Sequence, residues 1–162
     1  MKTYVITLSK TFMKGSPRAG ESTGFRRSLE KALQTPFDGG FRKIHTIWRN
    51  VPLWRKRIEE VRQGEACLSI REWTGKPYAS KQEEIARLTK EDGVGLQIIQ
   101  FENIIKEKPI KVYDTCGNFR AYTYAEYIAN NDGLGLEDWL EWFKGCKADE
   151  NLAIIHFTKF RY

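Results

Sequence analysis

The chain has 162 residues, of which 30 % are charged and 13 % aromatic, and its formal net charge is +6. This length suits a single domain, residues 1–162, with one sizeable core; the composition excludes an intrinsically disordered chain, and no apolar run approaches the roughly 20 residues of a membrane-spanning helix. The charge is lopsided, with 14 Lys or Arg against 5 Asp or Glu in residues 1–63 and 13 against 16 in residues 64–162, which suits either a phosphate-bearing partner or a solvated basic face.

"KTYVITL" alternates and is rich in β-branched residues, so it is a strand. A Gly/Pro/Ser loop with Lys10, Lys14 and Arg18 follows. A helix is predicted from Ser22 or Thr23, with Phe25, Leu29, Ala32 and Leu33 at helical spacing, ended by Pro36 and Asp38–Gly40. "FRKIHTIWRN", residues 41–50, sets Arg42, Lys43, His45, Thr46 and Arg49 around Ile44, Ile47 and Trp48. It reads either as a half-buried strand with a basic side or as the rim of a pocket for an anionic, aromatic ligand. Asn50 then caps a helix with Pro52 in its first turn. Trp54, Ile58 and Val61 form its inner stripe and Gly64 follows its end; Arg55, Lys56, Arg57 and Arg62 occupy the other face.

Beyond Gly64 the period changes to two. "EACLSIREW" is a strand with Ala66, Leu68 and Ile70 on one side. "TGKPYAS", which includes Tyr78, is a turn. "EEIARLT", "GLQIIQFENI", "KPIKVYD" and "FRAYTY" are further strands, "AEYIANN" a short helix, and "LEDWLEWFKG" a helix with Leu136, Leu140 and Phe143 inward. "NLAIIHFTKF" closes the chain as a strand. About six short strands and three or four helices without βαβ alternation predict an α+β fold: a small, curved, mostly antiparallel β-barrel with three to four flanking helices.

Cys67, Cys116 and Cys146 are odd in number and form no CxxC pair, so neither a disulfide framework nor a zinc module is signalled. A zinc site from His45, His156 and a cysteine lacks ligand spacing, and no metal or cofactor is expected. "MKTYVITLSK" carries no apolar block of signal-peptide length, so the expected location is the cytoplasm, with no membrane partner.

The order of these pieces resembles the ASCH domains of the PUA-like superfamily, especially a phage- and prophage-associated group. Those domains carry a Gly-x-Lys-x-x-Thr-x-Arg signature after the first helix, and "GFRKIHTIWR" supplies Lys43 and Thr46 at that separation. The glycine is displaced upstream, and Trp48 stands where the signature has Arg, with Arg49 one position late. "SPRAGESTGF", "WTGKPYASKQEEI", "NDGLGLEDWLEWF" and "IIHFTKFRY" match other parts of the pattern, so the resemblance spans most of the chain.

For some ASCH-fold enzymes, amidohydrolases of acetylated cytidine, the resemblance implies a nucleophilic Thr, an activating Lys and an acidic residue before the penultimate helix. Here these are Thr46, Lys43 and Asp132, the last standing in place of a Glu. A threonine hydroxyl needs a base to become a nucleophile. Residues i and i+3 face opposite ways along a strand but share a face in a turn. Lys43 and Thr46 can therefore cooperate only if the chain bends near residue 44.

Three functions follow as expectations. The first is a nucleic-acid- or nucleotide-binding module, for RNA or a modified nucleoside, whose basic cleft uses Arg42, Lys43, Arg49, Arg55 and Arg57 on phosphates and Trp48 or Tyr78 to stack a base. The second is a small amidohydrolase deacylating an N4-acetylcytidine-type substrate. The third is a phage-derived protein-interaction domain that presents Trp139 and Trp142 to a protein partner.

Overall fold

Alternating β-branched residues make the first strand, β1 (Lys2–Leu8), and the helical stripe read from Phe25 makes α1 (Phe25–Gln34). There follow β2 (His45–Trp48), α2 (Val51–Arg62), β3 (Ala66–Trp73), β4 (Gln82–Leu88), β5 (Gly95–Gln100), β6 (Ile110–Tyr113), β7 (Phe119–Thr123), α3 (Ala125–Asn131), α4 (Leu136–Trp142) and β8 (Asn151–His156). The computed structural model describes residues 1–34, 41–101 and 108–162. Pro36, Asp38–Gly40 and the far end of "GLQIIQFENI", the proposed ends of α1 and β5, lie outside the described residues.

The fold is α+β, as expected, but its strands form two sheets, ordered β1-β3-β4 and β2-β8-β5-β6-β7. Among the described residues neither sheet closes into a barrel. The larger sheet is antiparallel throughout, whereas β1 and β3 run parallel, with Lys2 beside Ala66 and Leu8 beside Glu72. A parallel pair needs a long crossover, and here that crossover carries α1, β2 and α2. The two sheets and α2 share one apolar core, to which Ile6, Leu68 and Ile70 contribute from one sheet, Ile99, Leu152 and Ile154 from the other, and Trp54, Ile58 and Val61 from the helix. No helix among the described residues is long and apolar enough to cross a membrane.

Asn50 Oδ1 accepts a hydrogen bond from the Leu53 amide at 3.2 Å, which is the cap expected of α2. Alternation misleads in β3. Ala66, Leu68 and Ile70 are buried, but so are Cys67 and Ser69 on the opposite side. Their roof is polar: Arg87 Nη1 donates to Cys67 Sγ at 3.0 Å, Ser69 donates to Glu84, and Arg71 Nε donates to Ser69 Oγ at 2.8 Å. In α4 the most deeply buried residue is Trp139, fully enclosed beside Phe101 and Phe143. Leu136, Leu140 and Phe143 are only half-buried around it. Trp139 lies on the same i, i+3, i+4, i+7 stripe as those three, and the bulkiest member takes the deepest position. It is therefore not the exposed contact considered for a protein partner, and the half-buried Trp142 packs edge-on against Phe12 and Phe25.

Candidate functional site

The stretch before β2 leaves the β2–β8 ladder at Ile44, whose carbonyl still accepts from the Phe157 amide at 2.8 Å. The Arg42 amide donates to the Asn130 carbonyl at 3.0 Å and the Ile44 amide to the Asn131 carbonyl at 2.9 Å. Lys43 pairs with Asp132 in an isolated antiparallel bridge. From His45 onward the chain pairs with β8 instead. This change of partner is the bend near residue 44. Gly133 makes room for it: its φ is +81°, and a Cβ there would lie 3.3 Å from Lys43 Cβ and 3.4 Å from the Phe25 ring. A side chain at 133 would face both backbone strain and crowding.

The bend brings Lys43, Thr46 and Asp132 to one cavity of about 220 Å³. Its other walls include Leu8, Phe25, Ile47, Trp48, Leu134, Trp142 and Phe143, and among the described residues Lys43 and Asp132 are the charged ones in its lining. Lys43 is 2 % exposed. Its Nζ donates to Asp132 Oδ1 at 2.8 Å and to the Asp132 carbonyl at 2.9 Å, and lies 4.1 Å from the centre of the Phe25 ring. The shorter Asp thus reaches the ammonium directly, because the bridge already sets the two backbones side by side.

A buried polar chain continues behind Asp132. His45 Nδ1 is 3.6 Å from Asp132 Oδ1, beyond hydrogen-bond range, and has no other partner among the described residues. His45 Nε2 is 2.7 Å from Tyr162 Oη, which accepts from Asn131 Nδ2 at 3.0 Å, while Asn131 Oδ1 accepts from Arg42 Nε at 3.1 Å. Arg42 fixes the Asn131 amide. Tyr162 is then free to donate to His45 Nε2, which leaves the imidazole proton on Nδ1, facing the carboxylate. Gln97 Oε1 accepts from the Tyr162 amide at 3.0 Å and from His156 Nε2 at 2.9 Å, which ties the second histidine into the same cluster.

Electrostatics follow from this burial. Desolvation alone would raise the Asp132 carboxyl, but the Lys43 ammonium and His45 together hold it below its ordinary value. Burial lowers His45, and Lys43 adds to the effect against the opposing pull of Asp132. Burial, with His45 and Arg161 adding charge repulsion, lowers His156 well below the usual range. Burial also raises the Tyr162 phenol, reinforced by the Asp132 charge.

The other residues proposed for binding are dispersed. Trp48 lines the cavity, 38 % exposed, with its ring 5.7 Å from that of Trp54. Arg49 lines an adjoining hollow of about 290 Å³ that shares Met13 and Trp142 with the first, and its Nε lies 3.5 Å from Glu150. Arg42 turns away toward Asn131 and the Phe160 ring. Arg57 lies over Tyr4 and Trp54, and Arg55 is exposed on α2. Tyr78 sits in the β3–β4 connection, 91 % exposed with φ +63° and its ring near Trp73. None of Arg42, Arg49, Arg55 and Arg57 lines the cavity beside Lys43. Among the described residues there is no group of three or more potential metal ligands. The sequence reading missed Tyr162 and Asn131; the one signal for Tyr162 is that it ends "IIHFTKFRY", directly after the strand that pairs with β2.

No protein-family model matches the chain, and comparison with curated proteins and with solved structures gives no match. Fold and site define an α+β protein with a buried lysine–aspartate pair lining an aromatic-walled cavity. The ASCH and PUA-like resemblance rests on the quoted sequence pieces alone.

Proposed function

We propose that the protein is a PUA-like, ASCH-type module that binds a nucleoside-class ligand, a modified or acylated base, in the Lys43–Thr46–Asp132 cavity. The observation supporting this is that residues 43, 46 and 132 line one cavity, walled by Phe25, Trp48 and Trp142. Its volume lies just below the roughly 300–1,000 Å³ of drug-sized sites, so it suits a base rather than a polymer. The aromatic walls offer stacking surfaces. Lys43 and Asp132 offer a donor and an acceptor to the polar edge of a base, in a setting dry enough for one hydrogen bond to discriminate strongly. Titration calorimetry with N4-acetylcytidine and cytidine tests the reading. Saturable binding is expected, weakened about fivefold or more by Trp48→Ala if stacking contributes about 1–3 kcal/mol. Binding of neither nucleoside would overturn it.

A second reading, hydrolysis, is favoured by the presence of Thr46 in the same cavity. Thr46 Oγ would attack the amide carbonyl carbon once the Lys43 ammonium has shed a proton to solvent, the hydroxyl proton passing to the resulting free amine and then to the departing ring-bound nitrogen. Water would release acetate and restore the hydroxyl. Asp132 orients the amine. Thr46→Ala is expected to lower the deacetylation rate, followed by the ultraviolet change of the base, by roughly 100-fold or more, with Thr46→Ser retaining activity. Equal rates for wild type and Thr46→Ala would exclude this step and leave the binding reading intact.

A further inference from the structure

The ion pair in the cavity wall sets a condition on the hydrolysis reading. A lysine serves as a base only when neutral, because an ammonium has no lone pair. Taking a proton from Lys43 leaves the Asp132 carboxylate, 4 % exposed, buried without its cation, and an unpaired buried charge is costly. The oxygen that accepts from Lys43 has a second neighbour. His45 Nδ1 lies 3.6 Å from Asp132 Oδ1 and has no hydrogen-bond partner among the described residues, in a side chain with no exposed surface. Buried polar atoms are nearly always satisfied, so an orphan aimed at a carboxylate calls for an explanation. Its proton is fixed in place from the far side of the ring. Arg42 holds the Asn131 amide, Asn131 donates to Tyr162, and Tyr162 donates to His45 Nε2.

We propose that His45 is a positioning residue for the deacylation: it is the reserve counter-ion of Asp132, and it takes the positive charge when Lys43 is released as a free amine. The protons balance. Lys43 Nζ loses one to solvent in the cavity. His45 Nε2 gains one from Tyr162 Oη, and the half-buried Tyr162 takes a replacement from solvent. Asp132 stays ionised throughout, and the cluster keeps its net charge. A closure of under about 1 Å then turns the gap at Nδ1 into a charge-assisted hydrogen bond, which spans roughly 2.7–2.9 Å. Four titratable groups face His45: Lys43 from before β2, Asp132 from after α3, Tyr162 from the C-terminal segment and His156 from β8, its ring centre 5.6 Å away. Repulsion between the two imidazoles confines the charge to one of them, and His45 is the one beside the carboxylate, whereas His156 Nε2 faces Gln97. The inference rests on the hydrolysis reading above and deepens it by naming what allows its lysine to lose a proton.

Long-range proton–nitrogen NMR of the imidazoles tests this without substrate. The chain has 2 histidines, so His45→Gln assigns the signals. In wild type at about pH 7, His45 is expected to be neutral with its proton on Nδ1. Lys43→Met should convert it to the imidazolium at the same pH; Lys43→Gln, which keeps a donor beside the carboxylate, takes its place where the methionine variant does not fold. A His45 that stays neutral in a folded Lys43 variant overturns the proposal, and so does a wild type with the proton on Nε2. Deacetylation of N4-acetylcytidine then reads the role in the reaction. His45→Gln keeps a donor and an acceptor but no charge, so it should move the midpoint of the rate-against-pH profile upward by about one unit or more, with KM unchanged. A lower rate at every pH with an unmoved midpoint would assign His45 to packing alone and equally overturn the proposal. A wild type that hydrolyses nothing while Lys43→Met charges His45 sinks the hydrolysis reading and upholds the exchange of charge.

Discussion

Asp132→Ala is expected to lower unfolding free energy by about 3–5 kcal/mol, the usual consequence of removing one partner from a buried ion pair. Lys43 has 2 % of its surface exposed, so without the carboxylate its ammonium keeps, among the described residues, the residue-132 carbonyl and the Phe25 ring. Lys43→Met should be milder, because His45 already turns its Nδ1–H toward the orphaned carboxylate at 3.6 Å and becomes a cation by taking up a proton at Nε2. The double variant Lys43→Met/Asp132→Leu should recover most of the loss, since apolar replacement of a whole buried pair is often neutral or stabilising. Urea unfolding of wild type, Lys43→Met, Asp132→Leu and the double variant forms a double-mutant cycle. Simple additivity of the two losses would mean that the pair is not coupled. A double variant that regains stability but not nucleoside binding would separate the site from the scaffold, which is the signature of a costly buried pair kept for a ligand.

What the sequence discloses about the fold is whatever short-range physics determines. α2 is the clearest case: Asn50 caps it, Pro52 fits its first turn, and Trp54, Ile58 and Val61 face inward. Each of these signals acts within one or two turns. The sheet arrangement is different, because the choice between one closed sheet and two open ones depends on which distant strand each edge meets. Nothing local in "KTYVITL" shows that β1 pairs in parallel with a strand about sixty residues later. Trp139 illustrates a smaller loss of information. Periodicity marks the buried stripe of α4 but not which member of it reaches deepest, and that depends on Phe101, far off in sequence.

The candidate site divides along the same line. The spacing of Lys43 and Thr46, with an acidic residue expected from a distant turn, points to a shared hollow only if the chain bends, and the chain changes partner at Ile44, whose amide bonds to Asn131 while its carbonyl stays with Phe157 just past β8. His45 is legible only as a buried histidine with one hydrogen bond; that its partner is Tyr162, 117 residues away, is a tertiary fact. Counting cations in residues 1–63 suggested a basic cleft, but charge counts carry no direction. Arg42, Arg49 and Arg57 project toward three different neighbours, and the cavity is left with one ammonium opposite one carboxylate.

Acid is expected to unfold the protein through the same cluster, starting unusually early. Both histidines are fully enclosed, and both are held below the ordinary value of 6.5, His156 well below it. His45 faces Asp132, Lys43 and Tyr162 across β2 and α3, and His156 faces Gln97, His45, Tyr162 and Arg161. Above about pH 6.5 the imidazoles are neutral in both folded and unfolded chains and contribute no slope. Below it the unfolded chain binds protons that the folded one refuses, so stability falls, by about 1.4 kcal/mol for each pH unit per histidine until the folded groups titrate. Asp132, held below 3.8, adds a second decline only as the pH drops past that value. Urea midpoints at pH 7.5, 6.0 and 5.0 should therefore fall steadily in the wild type. His156→Gln, which preserves a polar partner for Gln97, should flatten the decline between pH 6.5 and 5. An equal slope in that variant would show that burial of this imidazole does not control acid sensitivity, whereas a flattened slope would assign to His156 the proton taken up on unfolding.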